Sequence, residues 1–150
     1  MATGILNKPV LKIAVTGAER QTAITMLQAH SLPTSDIDED KLLYILLDGE
    51  KPIGTAGLEI FDDCALVRSV SVIKESQGKG YGKIINDEIE KFAKESGINC
   101  MYLLTTTAKD FFDKLGYCSI KREETPEAIQ QTAEFTSLCP SSAVVMKKRL

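Results

Sequence analysis

The sequence holds a single histidine, His30, and its four cysteines, Cys64, Cys100, Cys118 and Cys139, stand far apart with no C-x-x-C pair. Zinc-ligand spacing and the disulfide framework of a small secreted domain are both missing, so no metal is expected and the cysteines read as reduced thiols of a cytoplasmic protein. No apolar run approaches the roughly twenty residues of a membrane span. The N-terminal residues also lack the basic start and apolar segment of a secretory leader, so a soluble chain with no membrane partner is expected. Positive charge is not in excess. With 18 Lys and Arg against 21 Asp and Glu the net charge is −3, which gives no general attraction to nucleic acid, and Lys147, Lys148 and Arg149 read as a solvated strand end. There is no internal repeat and no low-complexity segment.

What is present is ordinary for one soluble domain: 150 residues, 43% apolar and 26% charged, enough chain to bury a core over about residues 10–149 of a single domain spanning 1–150. Leu11, Ile13 and Val15 alternate with Lys12, Ala14 and Thr16, which predicts a strand. Glu19 to Ser31 carries Ala23, Ile24 and Leu27 at helical spacing and ends at Leu32 and Pro33. The polar stretch 34–40 reads as a loop or short helix. Residues 42–47 and 53–61 flank the hairpin signal Asp48, Gly49, and Asp62 with Asp63 turns the chain into a third strand at 65–72, completing an antiparallel meander.

Further on, Tyr81, Ile84, Ile85, Ile89, Phe92 and Ala93 form one stripe of a helix, with Asp87, Glu88, Glu90, Lys91 and Lys94 opposite and Gly97 as its stop. Residues 98–105 then predict a strand parallel to 66–72, reached through that crossover helix. Thr107 and Asp110 predict a capping box for a short helix ending at Gly116. Residues 117–122 and 143–148 read as the last strands. Between them Thr125 as N-cap and Pro126 at the first helical position predict a helix to about Thr136.

The most informative segment is Gln77, Gly78, Lys79, Gly80, Tyr81, Gly82, placed between a strand and a helix. Glycines there let backbone N–H groups approach a ligand, and the first helical turn aims donors and a positive dipole end at the same point. That makes an anion cradle, most naturally for phosphate. A P-loop is excluded because Gly82 and Lys83 are followed by Ile84 and because Gln77 stands at the first glycine position. A dinucleotide fingerprint is excluded because Lys83 and Ile85 stand where its third glycine belongs.

Gln77, Gly80 and Gly82 match a signature of Gln or Arg, two residues, Gly, one residue, Gly or Ala, and in this the chain resembles the GNAT acyltransferases. Leu66 to Val72 resembles the central strand of that family, and Phe111 to Tyr117 resembles its second motif. The resemblance implies an α/β (α+β) GNAT fold: a mixed central sheet with an antiparallel N-terminal meander and splayed parallel central strands, flanked by helices. It also implies an acetyl-CoA-dependent N-acetyltransferase acting on a small-molecule amine.

By the same resemblance, the backbone of Gln77, Gly78, Lys79, Gly80, Tyr81, Gly82 and Lys83 would hold the pyrophosphate, with Lys79 and Lys83 adding charge. The Val70 N–H would polarise the acetyl carbonyl, Ser71 and Val72 would follow the pantetheine, and Thr106, Phe111 and Lys114 would complete the cofactor set. Read as bare sequence, Val70 and Val72 are core strand residues, and the two lysines an exposed helix start.

Two positions depart from the family. Leu66 stands where some members carry a glutamate base, and Phe112 where many carry a tyrosine acid. Glu59, on a strand between Leu58 and Ile60 and therefore either solvated or purposeful, is the remaining base, with Cys139 and Ser137 as proton donors or acceptor contacts.

The stretch Thr105 to Tyr117 and the tail Phe135 to Ala143 resemble the amino-acid N-acetyltransferase branch, and most closely the small acetyltransferases found with arsenic-resistance genes. That implies an amino-acid-like acceptor, whose carboxylate Arg68 or Arg122 would pair; each arginine reads otherwise as an ion-pair member. The alternative function is a CoA-binding sensor without efficient catalysis. Family habit makes a homodimer compatible with the chain.

Overall fold

The structure, a computed structural model, describes residues 9–32, 34–37, 41–138 and 142–150, the side chains of 137 and 138 excepted. The strands are β1 (Val10–Ile13), β2 (Leu42–Asp48), β3 (Lys51–Phe61), β4 (Cys64–Val72), β5 (Cys100–Thr105), β6 (Cys118–Ile120) and β7 (Val144–Arg149). The α-helices are α1 (Gly17–Ala29), α2 (Tyr81–Glu95), α3 (Lys109–Lys114) and α4 (Glu127–Gln130). The strands form one seven-stranded mixed sheet in the order β1-β2-β3-β4-β5-β7-β6. Two compact units are distinguished by their contacts, Met1–Gly57 with Ser69–Ile89, and Leu58–Arg68 with Glu90–Leu150.

In the first unit β1 pairs antiparallel with β2, from Val10↔Leu47 to Ile13↔Tyr44. The expected alternation fails at its end. Ile13 and Val15 are exposed while Ala14 is buried, because the strand stops at Ile13 and the Ala14 N–H turns onto Leu43 O at 2.8 Å. Helix α1 starts two residues earlier than expected, on a capping box that the periodicity did not reveal: Glu19 N–H donates to Thr16 Oγ1 at 3.1 Å and Thr16 N–H to Glu19 Oε1 at 3.0 Å. Its buried Ala23 and Leu27 pack with Ala14, Leu43 and Ile45. Of the 34–40 segment only residues 34–37 are described, and they form a turn; the rest lies outside the described residues.

In the second unit β4 pairs parallel with β5, as expected, through Cys64↔Cys100, Ala65↔Met101 and Leu66↔Tyr102. β5 and β6 each pair antiparallel with β7. Cys64, Leu66, Cys100, Tyr102, Ile129, Phe135 and Val145 make one cluster of its core. Gly97, at φ 85°, stops α2 as read, with Ile98 N–H on Ala93 O at 2.9 Å.

Two expected caps do not form. Helix α3 has Ala108 at its N-cap with no side-chain bond; the Ala108 N–H is taken by Thr105 Oγ1 at 2.9 Å, so Thr107 is left out of the box. Pro126, not Thr125, caps α4, and Thr125 is buried with its hydroxyl unpaired. That helix lasts only four residues. Thr132 Oγ1 donates to Ile129 O at 2.7 Å, a side-chain competitor for the helical carbonyl, and the chain resumes as a π-turn over Glu134–Leu138.

Candidate functional site

After Val72 a single 3-10 turn, Lys74–Ser76, leads into the glycine run. Its entry is fixed from both sides: Ile73 N–H donates to Ile53 O at 2.9 Å, and Gln77 Nε2 reaches back to Val72 O at 2.9 Å. The Gln77 N–H is spent inside the turn on Lys74 O at 3.3 Å. Gln77 therefore shapes the loop, and the amides available to a ligand begin at Gly78.

Gly78 and Gly80 adopt φ of 79° and 84°, a region that other residues enter only with strain. Around each of them the position of a Cβ would be open space. Glycine is thus required here by backbone direction, not by crowding. The first intrahelical bond of α2 is Ile84 N–H to Gly80 O at 3.3 Å, so the amides of Tyr81 and Gly82 lie ahead of it, at the positive end of a 15-residue helix with no acidic residue in its first turn. Lys83 is paired on the surface with Asp87 at 2.8 Å, and Lys79 is exposed. A diphosphate fits this arrangement through its backbone donors.

The strand that delivers the chain to this turn is irregular. Ser69, in the middle of β4, has φ 59°, a left-handed conformation that a non-glycine residue enters only with strain. Thr55, fully buried on β3, holds it by donating Oγ1 to Ser69 O at 2.7 Å and lying 2.6 Å from Ser71 Oγ. Ser71 thus has its hydroxyl turned inward, which leaves only its backbone for a cofactor. Val70 and Val72 are half-buried. Gly54 completes the support, because a Cβ there would stand 2.8 Å from Ser71 O and 2.8 Å from Ile85 Cδ1. Gly54, Thr55 and Ser69 were missed in the sequence; an isolated glycine inside a strand pattern was the available signal.

In the second unit the residues read as base and acceptor clamp meet each other. Arg68 donates NH1 to Glu59 Oε2 at 2.9 Å and pairs through Nε with Glu134 Oε1 at 3.2 Å, all three being buried. Glu59 is therefore not a solvated strand carboxylate, and Arg68 is an internal ion-pair partner. Arg122 donates to Phe135 O at 3.3 Å and lies over the Phe135 ring at 5.5 Å. Phe112 is buried, edge-on to both Phe111 and Tyr117. Thr106, Phe111 and Lys114 are exposed. Burial, and then the negative charge of Glu90, raise the Tyr117 phenol well above its ordinary value. Lys148 joins Glu90 at 2.9 Å to Leu115 O at 2.7 Å, tying α3 to β7. Cys139 and the side chain of Ser137 lie outside the described residues. Among the described residues no group of three His, Cys, Asp or Glu could hold a metal ion, and no helix is long and apolar enough to cross a membrane.

A strand running into a glycine turn and then a helix N-terminus, within a mixed seven-stranded sheet with helices, defines an α/β protein. The Acetyltransferase (GNAT) family matches over residues 15–117, and the chain belongs to that family, whose co-substrate is acetyl-CoA. An uncharacterized N-acetyltransferase of Chlorobaculum tepidum is 34% identical over 65 residues, 43% of this chain and 41% of its own length. The uncharacterized N-acetyltransferase YjcF of Bacillus subtilis is 28% identical over 90 residues, 59% of this chain and 64% of its own length. The chain thus spans less than two thirds of these relatives.

Among solved structures, N-acetylglutamate synthase from Neisseria gonorrhoeae, complexed with coenzyme A and N-acetyl-glutamate, superposes with a TM-score of 0.78 at 20% identity. The match covers 95% of this chain and 35% of that one. Tetrahymena GCN5 gives 0.74 at 16% identity, covering 93% and 95%. At these identities the likeness establishes the fold.

Proposed function

We propose that the chain is an acetyl-CoA-dependent N-acetyltransferase that acetylates the amine of a small, amino-acid-like acceptor. The observation that carries this reading is the open glycine turn, with Gly78 and Gly80 at positive φ ahead of α2, joined to a β4 whose Ser69, also at positive φ, is held by Thr55. Acetyl-CoA supplies the acyl group activated as a thioester. The amides from Gly78 to Lys83 bind the diphosphate, and the backbone of Val72 and Ser71 orients the pantetheine. The Val70 N–H donates to the thioester carbonyl oxygen, where negative charge develops during attack. Thr106, Phe111 and Lys114 border the carrier.

The acceptor must arrive as a neutral amine. Deprotonating a side-chain amine of pKa about 10.4 at pH 7 costs about 4.6 kcal/mol, whereas an α-amino group near 7.8 costs only about 1 kcal/mol. An α-amino acceptor therefore needs no strong base, in keeping with Glu59 being engaged by Arg68. The proton leaves through water or through the Ser137 to Cys139 segment to the departing thiolate, whose pKa near 8.5 demands little help. The likeness of the tail 135–143 to arsenic-resistance-associated acetyltransferases supports the amino-acid-like acceptor.

Calorimetry with coenzyme A and thiol release from acetyl-CoA over a panel of amino acids and amines test the proposal. Absence of coenzyme A binding refutes it. Tight binding without turnover selects the sensor reading instead, which the buried Phe112 at the usual tyrosine position favours.

A further inference from the structure

The four cysteines are far apart in the sequence, yet the sheet brings two of them face to face. Cys64 opens β4 and Cys100 opens β5, and in the parallel register of the two strands they are direct partners, Cys64↔Cys100. That register is locked one residue earlier, where Asn99 N–H donates to Asp63 O at 2.8 Å. Both cysteines are free thiols, 7% and 9% exposed. They share one core cluster with Leu66 and Tyr102, each two positions further along its strand, so the two thiols lie on the same face of the sheet.

Cysteine packs well as a small apolar residue, so burial by itself assigns it nothing. Register does. Paired Cα atoms on neighbouring strands stand about 4.8 Å apart, inside the roughly 4.4–6.8 Å that a disulfide spans between its Cα atoms. Among the described residues Cys118 is the remaining cysteine, and β7 lies between its strand and β5, which puts it about 10 Å from Cys100 and out of reach. Solvent is one residue away from each thiol of the pair, because Asp63 and Asn99 are exposed. Closing the link gives up only the weak bond that Cys64 Sγ donates to Phe61 O at 3.4 Å. Burial, and then the charge of Asp63, raise the Cys64 thiol above its ordinary value, which keeps it protonated at neutral pH and makes thiol exchange slow.

We propose that Cys64 and Cys100 are a redox pair, a dithiol that a small-molecule disulfide converts to a protein disulfide clasping the first residue of β4 to the first residue of β5. One cysteine thiolate attacks a sulfur of the small disulfide, whose S–S bond breaks and whose other half leaves as a thiolate. The second cysteine thiolate attacks the protein sulfur of that mixed disulfide and expels the remaining half. Two protein thiols are oxidised, one small disulfide is reduced to two thiols, and the protons lost by the cysteines go to the leaving thiolates. The glycine turn and α2 lie between the two cysteines in the chain, so the clasp closes a long loop and stabilises the fold by restricting the unfolded chain. The pair stands independently of the acetyltransferase reading.

In the test, the folded full chain is incubated for hours with oxidised glutathione and mapped as peptides without reductant. A loss of about 2 Da, the two thiol hydrogens, and a peptide joining Cys64 to Cys100 are expected, both reversed by dithiothreitol. Cys118→Ser combined with Cys139→Ser should give the same link, and adding Cys100→Ala should abolish it. The oxidised form should melt about 5–10 °C above the reduced one. Thiols that stay reduced in the folded chain, a link that forms only in urea, or one that joins either cysteine to Cys118 or Cys139 overturns the pairing. An unshifted or lowered melt overturns the clasp. Mapping and melting of the wild type decide both points even where a variant fails to fold.

Discussion

Position 54 has room for no side chain, and the obstacle on one side is backbone: the Ser71 carbonyl, 2.8 Å from where a Cβ would be. Gly54→Ala must displace β4 or α2, so it should destabilise by about 1–3 kcal/mol, read as a loss of several degrees in melting temperature, and should weaken coenzyme A binding as well. Thr55→Val keeps the volume but removes the hydroxyl that meets Ser69 O and Ser71 Oγ; a loss of about 1–3 kcal/mol is expected in denaturant titration.

Glu19 and Tyr117 contribute at opposite ends of the pH range. Hydrogen bonding from Lys12, and then from the Thr16 and Val15 amides, lowers Glu19 from 4.5 to about 2. The folded state thus favours the ionised form, so its contribution is present above pH 4.5 and is lost as pH falls towards 2. Tyr117 behaves oppositely. Its raised pKa favours the protonated phenol in the folded state, so stability is full below its ordinary value of 10.0 and declines as pH rises past it. Melting curves of Glu19→Gln and Tyr117→Phe should be flatter than wild type in the acid and alkaline limbs respectively. None of these partners is local enough to be read from composition or periodicity, apart from the Thr16 and Glu19 box, which spacing alone would have revealed.

At the scale of elements, the glycine turn and α2 separate backbone from side-chain contributions. Gly80→Ala meets no atom but must hold φ 84° at a strain of about 1–2 kcal/mol. The turn should relax away from this shape and coenzyme A Kd rise about tenfold or more. Lys83→Ala, removing an exposed side chain already paired with Asp87, should change Kd by no more than about threefold, and less at high salt. A larger effect of Lys83 than of Gly80 in calorimetry would reverse this assignment of roles. The turn was legible because Gln77, Gly80 and Gly82 lie within six residues of one another, bounded by a strand and a helix of clear periodicity. The short elements were not. Thr107 and Thr125 carry the right chemistry for caps, yet Ala108 takes the N-cap of α3 with its N–H on Thr105, and Pro126 takes that of α4 with no side-chain bond; so few residues give a local preference little weight against packing.

For the whole molecule, binding to the folded state alone stabilises it by about 2.7 kcal/mol at a ligand concentration of 100 Kd. Saturating coenzyme A should therefore raise the melting temperature of this 150-residue chain by about 5–10 °C, and an unshifted melt would contradict a carrier site. The sequence by itself determined the meander, the crossover helix, the parallel pairing of β4 with β5 and the glycine turn ahead of α2, since hydrophobic period and turn chemistry act over a few neighbouring residues. Only the tertiary structure decided that Glu59 and Arg68 face each other with Glu134, 66 residues beyond Arg68, and that Thr55 supports the left-handed backbone at Ser69. A buried charge or hydroxyl takes whichever partner the packed chain brings within about 3 Å, and no local pattern records which one that is.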